Sequence, residues 1–151
     1  MKIILFCLTF VSMLSAFGQK VKIDENIASV DGVEYIYYEK KNMANDASVH
    51  GLSTDHEEIY LTYQSYNDPS QASKANPEGK IRWIEVNFLD LGIKCEIPNN
   101  THKAVVKMIY ENNLFTDGKV DPESAERFVS KYGTKFSDNR RNGNVNVIIN
   151  N

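Results

Sequence analysis

Three histidines and a surplus of carboxylates are the side chains with which this chain could hold a metal or move a proton. His50 and His56 flank a short polar turn, and Glu57 and Glu58 follow His56 directly. Imidazole and carboxylate are both zinc ligands, so two opposed strands would bring His50, His56 and Glu58 together as a divalent-metal group. The spacing matches no named zinc signature, and Asp55-His56-Glu57-Glu58 equally describes a solvated hairpin tip. Apart from that alternative, no metal and no cofactor is expected. Asn113 to Asp121 has a calcium-loop flavour, but with Gly118 at the sixth place the third is Phe115 and the twelfth is Ser124, so two ligands fail. No serine sits in a Gly-x-Ser-x-Gly setting, and no glycine-rich loop is present to cradle a phosphate. The reading therefore leans away from an enzyme, with a secreted hydrolase or metal-dependent enzyme around His50, His56 and nearby carboxylates as the alternative.

The remaining chemistry is aromatic. In Glu58 to Tyr66 the residues Ile59, Leu61 and Tyr63 alternate with Tyr60, Thr62, Gln64 and Tyr66, and in Ile81 to Leu89 the residues Ile84, Val86 and Phe88 alternate with Trp83, Glu85 and Asn87. If the aliphatic sets face a core, then Tyr60, Thr62, Gln64, Tyr66, Trp83 and Glu85 share an open sheet face. Amphipathic rings among hydrogen-bonding side chains suit an extracytoplasmic protein or a glycan. Strands also favour tyrosine and threonine for packing alone. The expected function is a small exported interaction module that uses this face.

The elements that must position these residues begin with a hairpin. Ile27 to Val30 and Val33 to Tyr38 flank Asp31-Gly32, a pair suited to a two-residue turn with positive φ at both positions. Ala47 to Leu52 reads as a strand, as do the two alternating stretches above. Between those two, Asn67 to Lys80 is a loop rich in proline, glycine and polar residues. After Leu89 the apolar phase slips onto Leu91, Ile93, Cys95 and Ile97, which predicts a bulge or bend near Asp90 to Gly92. Pro98 to Thr101 offers caps for a helix carrying Val105, Val106, Met108 and Ile109. Asp121-Pro122 opens a second helix with Ala125, Phe128, Val129 and Tyr132 on one stripe, and Gly133 stops it. Strands first and helices last predict an α+β domain: an antiparallel sheet packed against two C-terminal helices. From Ser137 to Asn151 the chain is rich in asparagine and reads as a flexible tail, or as an edge strand at Val145 to Ile149.

The chain opens on Lys2 and an apolar run from Ile3 to Leu14 that closes on Ser15-Ala16-Phe17-Gly18. This pattern predicts a signal peptide over residues 1–18, cleaved near Gly18-Gln19, and an exported product, periplasmic or secreted. Such a leader followed by one small domain, 19–136, resembles the layout of small exported bacterial proteins. Losing Lys2 leaves 16 basic against 20 acidic residues, a net charge of −4, which lacks the basic balance of a nucleic-acid binder. No other stretch is apolar enough to span a membrane. Cys7 leaves with the leader, so Cys95 has no partner within the chain, and its alternation with Ile93 and Ile97 predicts a buried thiol.

Overall fold

Asp31 and Gly32 adopt φ of 53° and 84°, the paired positive angles of a tight hairpin turn, in a computed structural model that describes residues 19–41, 46–98 and 100–143. The leader with its cleavage site and the expected strand from Val145 to Ile149 lie outside the described residues. The turn joins β2 (Ile27–Val30) to β3 (Val33–Lys41), with Val30 opposite Val33. An additional strand, β1 (Val21–Asp24), precedes them and pairs with β2 across Glu25-Asn26, whose φ values of 45° and 70° make a second such turn without glycine. The sheet continues through β4 (Asp46–Gly51), β5 (Glu57–Asn67), β6 (Lys80–Phe88) and β7 (Ile93–Pro98). Every strand lies antiparallel beside its neighbour in sequence, giving a seven-stranded meander.

The phase slip after Leu89 is a chain reversal and not a bulge. Phe88 pairs with Ile93, Val86 with Cys95 and Ile84 with Ile97, so Leu89 to Gly92 is the loop of a hairpin. Gly92 has φ 63°, and its amide donates to the Phe88 carbonyl. The connection from Asn67 to Lys80 is built rather than loose. Asp68 caps a 3-10 turn at Pro69–Gln71, Asn76 bonds both backbone groups of Lys80, and buried Gly79 lies so close to the Asp68 carbonyl that a Cβ would overlap it.

One face of the sheet carries Ala28, Ile36, Tyr38, Val49, Ile59, Leu61, Ile84, Val86, Phe88, Cys95 and Ile97, all buried. Two C-terminal helices cover it. Thr101 caps α1 (His102–Glu111) by accepting from the Ala104 amide, and Val105, Val106 and Ile109 face inward. Asp121 caps α2 (Pro122–Tyr132) through the Ser124 amide at 2.7 Å, with Pro122 in the first turn and Ala125 and Phe128 buried. Between them, β8 (Phe115–Thr116) and β9 (Lys119–Val120) form a small hairpin around Asp117-Gly118, whose φ values are 51° and 78°. Helix α1 lies over β1 and β2, and α2 lies along β7. Cys95 is fully buried, and this burial, aided by the adjacent Glu96, pushes its thiol up to about 12.

The expected tail is instead ordered as far as Gly143. At Gly133 (φ 61°) the chain turns around the β7 edge and enters α3 (Lys135–Gly143). The Gly133 carbonyl accepts the Glu96 amide at 2.8 Å, which gives the edge strand a partner. The Glu96 side chain, 2 % exposed, accepts from the amides of Phe136 and Ser137 and from the Ser137 hydroxyl. A strand carboxylate thus meets the orphan donors and positive end of α3, work that a helix's own N-cap normally does.

Candidate functional site

Register places Tyr60 opposite Asn87, Thr62 opposite Glu85 and Gln64 opposite Trp83, on the face turned away from α1 and α2. This is the grouping the alternation predicts, but the face is not open throughout. Trp83 is 2 % exposed: the Phe136 ring of α3 stacks on it at 5.8 Å and 11°, and Tyr66 meets it edge-on at 5.7 Å. The indole N–H has no acceptor among the described residues. Trp83 therefore packs α3 and is not available as an exposed anchor, a correction to the sequence reading. Tyr60, Thr62 and Gln64 remain half-buried in the sheet surface. Tyr60 donates to Asp46, and Glu85 pairs with Lys94 at 3.0 Å.

The histidines separate. His50 sits on β4 with its ring edge-on to Tyr37, its Nδ1 at 3.1 Å from the Asp55 carbonyl and its Nε2 buried without a partner among the described residues. It does not join His56. Instead, His56 and Glu58 converge with Asp90, a residue 34 positions away from His56 on the β6–β7 loop. One ligand atom from each of the three lies within 4.8 Å of the others, and His56 Nε2 stands 2.9 Å from Asp90 Oδ2.

Three local features build this group. A bulge near the start of β5 sets Glu57 opposite His50 while Ile59 stays opposite Val49. The extra residue resets the side-chain phase. Glu57 then accepts from Ser48, whereas Glu58 turns towards β9 and becomes buried, at 5 % exposure. The β8–β9 hairpin is brought in by a backbone contact that requires glycine, because a Cβ at Gly51 would lie 1.8 Å from the Gly118 oxygen. Docked there, β9 offers the Val120 amide to Glu58 Oε2 at 3.2 Å. Finally, the tight β6–β7 reversal carries Asp90 back over the start of β5, where the Leu89 amide donates to the Glu58 carbonyl at 3.0 Å.

The three side chains line a cleft of about 430 Å³, together with Phe88, Leu91, Val120 and Pro122 as its apolar part and exposed Lys119. Glu58 Oε2 accepts the Val120 amide, while Oε1 makes no hydrogen bond among the described residues and is not one of the buried unpaired polar atoms, so it faces the solvent of the cleft. Ligand atoms about 2.0–2.1 Å from a tetrahedral ion stand roughly 3.4 Å apart. His56 Nε2 and Asp90 Oδ2 are closer than that, at 2.9 Å, and all three ligand atoms lie within 4.8 Å of one another. Sequence reasoning named His56 and Glu58 but missed Asp90, since only the hairpin reversal makes it a neighbour. Comparisons with protein-family models, curated proteins and solved structures find no match to this chain.

Proposed function

We propose that this is an exported domain that binds a divalent transition-metal cation through His56, Glu58 and Asp90. The observation that carries the reading is the convergence of Glu58, largely buried and anchored through Oε2 on the Val120 amide, with the His56 imidazole and the Asp90 carboxylate, one ligand atom of each lying within 4.8 Å of the others. One imidazole with two carboxylates suits Zn²⁺ or Mn²⁺ better than Ca²⁺, which takes six to eight oxygens. The leader expected over residues 1–18 supports a place outside the cytoplasm. No helix among the described residues is long and apolar enough to cross a membrane.

Calorimetric titration of the chain lacking residues 1–18 with Zn²⁺ and with Mn²⁺ tests this. One cation should bind per chain, and His56→Ala or Glu58→Gln should each weaken it at least tenfold, the scale of losing a ligand or its support. His50→Ala should leave it unchanged. Equal losses from His50→Ala and His56→Ala, or stoichiometric binding that survives Glu58→Gln, would refute the assignment.

A further inference from the structure

The lining of the cleft also holds one side chain of the opposite charge. Lys119 lines the same cavity as His56, Glu58 and Asp90, is exposed, and makes no ion pair or side-chain hydrogen bond among the described residues. It stands on β9, the strand whose next residue, Val120, holds Glu58. Lysine placement is therefore tied to the cation group by one short, glycine-docked hairpin rather than by a free side chain on a distant surface.

We propose that the metal-loaded cleft takes a small oxyanion, of phosphate or carboxylate chemistry, held between the cation and Lys119. This rests on the cation reading above. A bound histidine is neutral, so Glu58 and Asp90 formally balance a divalent ion and the Lys119 charge is left over. The loaded cleft thus carries net positive charge, although the domain as a whole is acidic. Three protein ligands also leave at least one coordination position open to solvent or to an incoming oxygen. One anion oxygen enters the metal shell in place of water while another meets the Lys119 ammonium. The cavity of about 430 Å³ is larger than either group alone. Its apolar side, with Phe88, Leu91 and Val120, gives room for an organic substituent on the anion.

The test uses Mn²⁺ and inorganic phosphate or acetate on the chain lacking residues 1–18. Water-proton relaxation reports the waters left on bound Mn²⁺. Phosphate, acetate or both should lower the relaxation enhancement of the wild-type complex in a saturable way. In Lys119→Met the anion concentration needed should rise at least tenfold, with Mn²⁺ affinity within threefold of wild type, and Lys119→Arg should keep the anion effect. If Mn²⁺ itself does not bind, both readings fall. If Mn²⁺ binds but neither anion alters the relaxation, or if Lys119→Met responds like wild type, the cation reading survives and the anion inference is overturned.

Discussion

On the helix side of the sheet, α1 and α2 are held by apolar area: Phe128 meets Phe88 edge-on at 6.2 Å and Tyr132 at 4.7 Å, within one continuous cluster that includes Val106, Ile109 and Leu114. On the other side, the described contacts of α3 include the Glu96 carboxylate on its first amides and the Phe136 ring on Trp83. Apolar burial is non-directional and distributes its stabilisation over many contacts. A cap and a ring stack are directional, and each concentrates its stabilisation in one place. The comparison leads us to expect that α1 and α2 belong to the cooperative core, whereas α3 is a local cover that opens at lower free energy than the domain unfolds.

The sharpest way to break that contrast is Phe128→Ala. It removes a ring that is 2 % exposed from the middle of the helix-side cluster and should cost ~3–5 kcal/mol, read from urea denaturation. A loss under about 1 kcal/mol, as for surface sites, would mean that α2 is no better anchored than α3.

Glu96→Gln probes the other side. An amide has one acceptor oxygen and turns two N–H groups towards donors that need acceptors. Removing the charge-assisted bonds should cost ~1.5–3 kcal/mol, concentrated in α3. Trp83 is the sole tryptophan, so its fluorescence should shift to the red, and trypsin should cut at Lys135 or Arg140 faster, before global unfolding. An unshifted spectrum together with unchanged proteolysis would place α3 within the cooperative core.

The smallest effect concerns pH and the start of α1. Tyr38, fully buried on β3, holds His102 Nδ1 at 2.8 Å, and the Tyr63 ring lies against the imidazole at 5.3 Å. Loss of solvent, and then nearby Lys40, hold the His102 pKa below its ordinary 6.5. The folded state therefore prefers neutral imidazole, as its place at a helix N-terminus also favours. This contribution is fully present above pH 6.5 and is lost as the pH falls from there through the lowered folded value. The urea midpoint should drop between pH 7.5 and pH 5, and His102→Gln should flatten that drop. A variant curve parallel to wild type would show that His102 is not the group involved.

Much of the architecture was legible in the chain because its signals are local. Asp31-Gly32, the alternation of Ile59 with Tyr60, Asp121-Pro122 and the 125-128-129-132 stripe each act within one turn or one strand. They suffice for an antiparallel sheet carrying two C-terminal helices, for the two sets of side chains on opposite faces, and for a buried Cys95. Strand β1 was less visible, since its turn uses Glu25-Asn26 without glycine. Helix α3 was hidden by its asparagine-rich composition. It has little apolar face of its own, and a buried glutamate about 40 positions earlier supplies its cap.

What only the tertiary structure decided is who meets whom. Alternation sorts side chains by face but cannot say whether a face stays open, and Trp83 was closed by a helix that the local pattern did not announce. Spacing suggested His50 and His56 as partners. A one-residue bulge in β5, a hairpin reversal at Asp90 and a glycine–glycine contact between Gly51 and Gly118 assembled His56, Glu58 and Asp90 instead. Periodicity is a property of a single segment, set by backbone geometry, whereas a site is a property of three segments whose relative placement depends on turns, bulges and backbone approach.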